Sequence, residues 1–347
     1  MSSAATTRRR SGAEPLLALR GLTKRFPVER DVLGRPTSWL SAVEGVDLDI
    51  SHGETLALVG ESGSGKSTLA RLILRLLPAT SGTILFDGTD VLKASARELR
   101  SFRHQAQIIF QDPFGSLDPR LRVRSIVEEG MAHLGLSRAE RRRRVAELLH
   151  LVQLSPQAMN RFPHEFSGGQ RQRISVARAL AVNPKFLIAD EPVSALDVSV
   201  QSHILNLLLD LREQLDLTYL FVSHDMSVVH HIADRVAVMY LGKIVEVAPA
   251  EELFRNPLHP YTQALLSSVP ELVRHGIDRR IKLEGDIPSP IDPPAACRFA
   301  GRCFRTIDVC RQEVPPLEQV DTAGEHLVAC FNSIPLADLA GNGRPAG

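Results

Sequence analysis

Hydrophobic and polar positions along this chain follow two periods, and the switches between them lay out the elements. Short apolar runs bounded by turn residues read as buried strands at 16–26, 55–59, 108–110 and 186–191, with another strand leading to Ser223. Apolar positions recur every three to four residues over 69–77, 138–151 and 171–180, which is the helical period. Strands alternating with helices from residue 16 to residue 247 predict an α/β class with a parallel-sheet core and a β-rich N-terminal part. A mostly helical stretch, about 112–166, interrupts the alternation and reads as a subdomain. Pro113, Gly115 and Pro119 make 112–124 loop-like enough to act as a hinge. The expected division is a disordered tail over 1–14, a core domain over 15–255, a small Cys- and Pro-rich C-terminal domain over 256–335, and a tail over 336–347.

Behind the strand at 55–59 stands Gly60-Glu61-Ser62-Gly63-Ser64-Gly65-Lys66-Ser67-Thr68, the G-x-x-x-x-G-K-[ST] pattern of a phosphate-binding loop. Glycines let backbone N–H groups turn inward around phosphates, Lys66 supplies a point charge to the β and γ oxygens, and Ser67 offers its hydroxyl to Mg²⁺. A chance Gly-Ser turn would lack the strand before and the helix after. The chain is therefore expected to bind a nucleoside triphosphate.

Further motifs follow in order. Phe166-Ser167-Gly168-Gly169-Gln170 opens a helix, Phe186-Leu187-Ile188-Ala189-Asp190-Glu191 ends a buried strand in two carboxylates, and then come Ser194-Ala195-Leu196-Asp197 and Ser223-His224-Asp225. With Gln111 closing the strand at 108–110, this order resembles the ATP-binding-cassette (ABC) ATPases over nearly the first two-thirds of the chain. Phosphoryl transfer is mostly positioning and charge stabilisation, so such a site needs cations on the γ-phosphate, a carboxylate for the metal and a group that orients water. Asp190 suits Mg²⁺ through a coordinated water. The resemblance implies that Glu191 is the base acting on the attacking water. It further implies that His224 contacts the γ-phosphate, and that Gln111 senses metal and water while touching a membrane partner. Taken alone, His224 is a strand-end histidine and Gln111 a surface amide; the motif order gives them roles.

Ser167, Gly168 and Gly169 form a helix N-terminus with a hydroxyl and unobstructed amides, an anion site by its chemistry. In the resembling family this element faces the nucleotide held by a second cassette, so hydrolysis requires a dimer, and the stretch 194–197, ending in Asp197, crosses the same interface. The family usually carries Leu where Phe166 stands, an apolar change that leaves the amides untouched. Adenine needs a flat partner for stacking. Phe26 is the candidate, with an ordinary core role as the alternative, and Trp39 is a second possible stacker.

Formal net charge is +1, from 41 basic and 40 acidic side chains, so nothing favours a polyanionic partner and nucleic acid is not expected. No stretch reaches the roughly 18 apolar residues of a spanning helix, and the N-terminal Arg8-Arg9-Arg10 has no apolar run after it, so neither a signal peptide nor an anchor is read there. The run Arg141-Arg142-Arg143-Arg144 falls in a helical pattern and reads as a solvated face.

The C-terminal hundred residues narrow the family. Asn256-Pro257-Leu258-His259-Pro260-Tyr261-Thr262-Gln263, then Glu284-Gly285-Asp286-Ile287-Pro288-Ser289-Pro290, resemble the tail of the ATPase subunits of dipeptide and oligopeptide permeases, in particular the second of the two ATPases those permeases use. The resemblance implies a second ABC ATPase subunit as partner, in a heterodimer or a homodimer. It also implies two transmembrane permease subunits, a separate solute-binding protein, and a peripheral place on the cytoplasmic face of the cell membrane. The alternatives are the same ATPase type serving another solute (nickel, glutathione) or an exporter, and, from another class, a non-transport cassette acting mechanically on DNA or ribosomes. Against the last stand the single cassette, the near-zero charge and the permease-like tail.

All four cysteines, Cys297, Cys303, Cys310 and Cys330, lie in this tail. A chain facing a reducing compartment does not rely on disulfides, so clustered thiols suggest a metal. They lack the Cys-x₂-Cys pairs of common zinc sites, and members of the resembling family hold a [4Fe–4S] cluster on such cysteines. The expectation is a cluster, with zinc or free structural thiols as alternatives, in a unit separate from the ATP site.

Overall fold

The computed structural model describes residues 14–112, 115–268, 281–286, 288–320 and 325–335. The tails expected at 1–13 and 336–347, Pro113 of the hinge and Ile287 of the tail motif lie outside the described residues. In chain order the strands are β1 (Leu17–Arg30), β2 (Pro36–Ile50), β3 (Thr55–Val59), β4 (Ser81–Phe86), β5 (Thr89–Asp90), β6 (Ala106–Ile109), β7 (Phe186–Asp190), β8 (Thr218–Ser223), β9 (Arg235–Tyr240), β10 (Lys243–Pro249), β11 (Glu318–Gln319) and β12 (Leu327–Val328). The helices are α1 (Lys66–Ile73), α2 (Ala96–Gln105), α3 (Val123–Glu128), α4 (Arg138–Leu151), α5 (Gly168–Leu180), α6 (Val198–Leu215), α7 (Met226–Ile232), α8 (Ala250–Arg255) and α9 (Pro260–Leu266).

The larger sheet has the order β11-β12-β10-β9-β3-β8-β7-β6, and β9, β3, β8, β7 and β6 run parallel. Their carboxyl ends therefore lie along one edge, where open α/β sheets bind ligands. Every residue of β3, β7 and β8 is buried, the mark of strands covered on both faces. On β8, Tyr219 and Phe221 enter the core beneath α5 and α6, while Leu220 and Val222 face the opposite core with α1 and the smaller sheet. That smaller sheet, β2-β1-β4-β5, is antiparallel and supplies the expected β-rich N-terminal part.

The helical interruption holds α3 and α4 and shares the α5/α6 core through Val145, Leu148 and Leu149. Ser137 and Glu140 close a capping box that starts α4 at Arg138. Arg142 and Arg143 are exposed, as a solvated face requires. Among the described residues no helix is long and apolar enough to cross a membrane.

The C-terminal segment differs from the separate unit expected of it. Tyr261, Leu266 and Phe299 pack in one core with Ala57, Val59, Val236 and Val238 of β3 and β9. Its strand β12 also pairs with β10 and so extends the main sheet. The Asn256–Tyr261 motif has a local cause. Glu246 of β10, fully buried, accepts from the amides of Leu258 and His259 at 2.8 and 3.0 Å and contacts His326 Nε2 at 2.8 Å. His259 Nδ1 in turn accepts from Tyr261 N–H and caps α9, whose first residue is Pro260.

Candidate functional site

The loop from Gly60 to Gly65 turns from β3 into α1 through Gly60 and Gly65, neither of which leaves room for a Cβ. Gly60 and Gly65 hold φ of 153° and 107°. A Cβ there would sit 2.2 Å from the Met239 and Ala42 carbonyl oxygens respectively. Ser64 is buried, and its Oγ has no hydrogen-bond partner. Lys66 is buried too, with Nζ donating to the carbonyls of Gly60 and Glu61 at 2.7 and 3.0 Å. Burial lowers its pKa, opposed by the nearby carboxylates of Glu191, Asp190 and Glu61. An orphaned hydroxyl, a cation satisfied only by its own loop and a glycine cradle are the donor set a polyphosphate would fill. Ser62 and Gly63 stand exposed at the loop's rim, and Ser67 and Thr68 are half-buried in the first turn of α1.

Ser67 Oγ donates to Asp190 Oδ1 at 3.1 Å, which joins α1 to the end of β7. Burial raises the Asp190 carboxyl, and the Ser67 hydroxyl counters it. An alcohol and a carboxylate at this spacing fit a hard, oxygen-seeking ion such as Mg²⁺. One residue on, Glu191 has φ of 48°, left-handed for a side chain that ordinarily avoids it at about 1–2 kcal/mol. Its amide on Val222 O at 3.0 Å and its carbonyl under Ser194 Oγ at 3.1 Å hold it there. Its carboxylate receives Gln111 Nε2 at 2.8 Å and meets His224 Nδ1 at 3.1 Å. The structure thus brings together Lys66, Ser67, Asp190, Glu191, Gln111 and His224, drawn from four strand ends. Gln111, expected to face a metal, directs its Nε2 to Glu191, so Oε1 is the atom able to do so.

The Ser167-Gly168-Gly169-Gln170 motif opens α5. Ser167 Oγ accepts from Gln170 N–H at 3.4 Å, and Gln170 Oε1 accepts from Ser167 N–H at 3.1 Å. Gly169 is needed inside this chain: a Cβ would lie 2.4 Å from Val200 Cγ1 on α6. Asp197 caps α6, accepting from Val200 N–H at 2.9 Å. Ser167, Gln170, Ser194 and Asp197 are exposed beside Val198, which is 78% exposed. Phe166 is buried under the Arg161 guanidinium, 4.3 Å from its ring centre. Phe26 is half-buried with Lys24 Nζ 4.7 Å from its ring centre and pairs in register with Leu40, next to Trp39. It is not a core residue, and one of its faces is already covered by a cation.

Three residues absent from the sequence-based site join it here. Glu61 of the loop donates its N–H to Tyr261 Oη at 2.7 Å, and its carboxylate receives both terminal nitrogens of Arg302 at 2.9 and 3.3 Å. The pairing of glutamate with arginine spans 241 positions, and no local spacing signals it.

Cys297 lies within electrostatic reach of Cys303 and Cys310, and Cys330 within reach of Cys303 and Cys297. Burial pushes the Cys297 and Cys303 thiols up and that of Cys330 up to about 11. The Arg305 and Asn332 amides each approach a sulfur, those of Cys303 and Cys330, at 3.4 Å. Among the described residues, however, no three Cys, His, Asp or Glu side chains gather as ligands of a metal ion.

A fold with parallel strand ends around a phosphate loop, a serine–aspartate pair and a glutamate under a glutamine defines a P-loop ATPase of the cassette type. Comparison with known proteins agrees. The family model "ABC transporter" matches residues 43–194, and "Oligopeptide/dipeptide transporter, C-terminal region" matches 245–310. The chain is 50% identical over 321 residues to the oligopeptide transport ATP-binding protein AppF of Bacillus subtilis, covering 91% of this chain and 97% of that one. It is 47% identical over 319 residues to the dipeptide transport ATP-binding protein DppF of Haemophilus influenzae, covering 92% and 97%. A solved dimeric ATP-binding cassette in a post-hydrolysis state, bound to ADP and Pi, superposes with a TM-score of 0.60 at 31% identity over 67% of this chain and 98% of that one. The cbiO1 subunit of a Clostridium perfringens ABC transporter complex superposes with a TM-score of 0.61 at 27% identity over 77% and 100%. The chain belongs to the ATP-binding subunits of ABC transporters, in the oligopeptide/dipeptide branch, and is an ATPase.

Proposed function

We propose that this chain hydrolyses ATP as one half of a cassette dimer and so drives uptake of dipeptides and oligopeptides. Its partners in that reading are a second ATPase subunit, two transmembrane permease subunits and a separate solute-binding protein. The observation that carries it is the convergence of Gln111 and His224 on the Glu191 carboxylate, beside Ser67 and Asp190. Lys66 leaves its loop carbonyls for the β and γ oxygens, while the amides of 60–68 hold the phosphates and Phe26 stacks on adenine. Ser67 and Asp190, with Gln111, would hold Mg²⁺, which neutralises charge on the β and γ oxygens when bound. Glu191 orients water and draws off its proton as the new P–O bond forms and the bond to the β-phosphate oxygen breaks, and His224 steadies the γ-phosphate. Ser167, Gly168 and Gly169, positioned by Gln170, and Asp197 serve the nucleotide of the other cassette. The exposed rim with Val198 supports this interface.

Peptide cargo rests on the tail match and on what the relatives are named for, and a place on the cytoplasmic face of the membrane follows from permease partners. In this reading the ATPase domain spans 15–255, with a helical subdomain over about 112–166, and the C-terminal domain spans 256–335, with Tyr261, Leu266 and Phe299 packed against β3 and β9. For the cysteines we infer a [4Fe–4S] cluster from the resemblance alone. No catalytic step uses it, and the described residues supply no gathered ligand set. Anaerobic protein that is brown with about four irons per chain supports the cluster, and a colourless, iron-free preparation ends it.

The transport reading is tested in vesicles holding the permease subunits and both ATPases, with the solute-binding protein supplied on the opposite face. Labelled dipeptide should accumulate only with ATP inside the compartment this chain faces, and unlabelled dipeptide should compete better than nickel or glutathione. Uptake indifferent to peptide competitors would reject peptide as the cargo.

A further inference from the structure

Glu61, the second residue of the phosphate loop, is gripped by two side chains 200 and 241 positions downstream. In a planar trans peptide the C=O and the following N–H point in opposite directions. Turning the Glu61 N–H onto Tyr261 therefore turns the Gly60 carbonyl the other way, and that oxygen is the one Lys66 Nζ meets at 2.7 Å. Tyr261 is fully buried, its ring 4.7 Å from that of Tyr240 and 5.5 Å from that of Phe299, so its hydroxyl cannot follow a moving loop. The Arg302 side chain is 9% exposed and neutralises a carboxylate whose charge reaches Lys66. Unpaired, that carboxylate would repel the oxygens of a triphosphate in the same loop. The same tail segment braces the loop's floor. Arg298 pairs with Glu44 and donates to Leu241 O, Glu44 N–H donates to Gly242 O, and Gly242 N–H donates to Ser64 O at 2.8 Å.

We propose that Arg302 and Tyr261 are positioning residues of the nucleotide site: through Glu61 they hold the phosphate loop in its receiving form and set its affinity for ATP. This rests on the reading of 60–68 as the ATP site. Equilibrium binding of ATP with Mg²⁺ to the full-length chain, alongside thermal melting without nucleotide, tests it. Arg302→Gln should weaken ATP binding about tenfold. In a Glu61→Gln background the same substitution should change affinity less than about twofold, because the charge that Arg302 neutralises is gone. Tyr261→Phe keeps the buried ring and should also weaken binding while leaving the melting temperature close to wild type. An Arg302→Gln protein that melts lower yet binds ATP normally, or that loses the same affinity in both backgrounds, overturns the proposal. Lys66→Ala binding ATP as tightly as wild type would instead remove the ATP-site reading beneath it.

Discussion

The Nε2 of Gln111 donates a 2.8 Å hydrogen bond to Glu191 Oε2, tying the residue two past the end of β6 to the residue just past β7. The loop that leads into the helical stretch is thereby attached to the carboxylate proposed to orient water. Movement at residue 111 must either carry that carboxylate along or break this hydrogen bond.

Glu191→Gln keeps the shape and removes the proton acceptor. Hydrolysis by the assembled complex should fall by on the order of 10²- to 10⁴-fold while ATP binding persists and dimers accumulate. Phosphate release and gel filtration with ATP measure the two effects. Turnover near wild type would deny Glu191 its role.

Ser167→Arg places a cation and bulk on the exposed N-terminus of α5 without entering the core. In a dimer where one subunit carries it, the nucleotide site of the other subunit should lose hydrolysis selectively. Equal loss at both sites, followed by single-turnover assays with site-marked subunits, would reject the shared arrangement.

Gly169→Ala sets a methyl 2.4 Å from Val200 Cγ1, and overpacking of this kind costs about 1–3 kcal/mol. Urea denaturation should register the loss, and Val200→Ala in the same chain should recover most of it. An alanine protein as stable as wild type would show that α5 and α6 are not tightly opposed there.

Burial lowers the His259 pKa from 6.5 to about 4, against the opposing pull of Glu246 and with the help of Arg305. The folded chain keeps the ring neutral where the unfolded chain would protonate it, so this stability is present above about pH 6.5 and is lost as pH falls toward 4, on the order of 3 kcal/mol in full. Glu246 also binds His326, so the acid loss should be read as a difference between proteins. His259→Asn retains a capping acceptor, and its unfolding midpoint should fall less steeply between pH 7 and 4.5 than that of wild type. Parallel pH curves would clear His259 of the effect.

Much of the site was legible because phosphate chemistry is local. Gly60 to Thr68 needs a fixed spacing on one turn, and Asp190-Glu191 needs only a strand end, so the apolar run at 186–191 pointed to them. Helix α4 was legible from its period over 138–151, because Val145, Leu148 and Leu149 share one buried face. What escaped was set by tertiary contact. Glu61 and Arg302 are ordinary charged residues until 241 positions of chain are folded back. Gly169 reads as a phosphate-facing glycine, although Val200 alone would require it. The two-residue strands β11 and β12 are too short for any period to reveal, which is why the tail looked separable.

That pairing has a consequence for anyone shortening the chain. β10 is hydrogen-bonded on one side to β9 and on the other to β12. Cutting the protein after the last turn of α8 would strip β12 away and leave Glu246 and Val247 with open backbone groups at the margin of a long, apolar sheet. Unguarded margins recruit strands from other molecules, so a trimmed ATPase core should clump at concentrations the full chain tolerates.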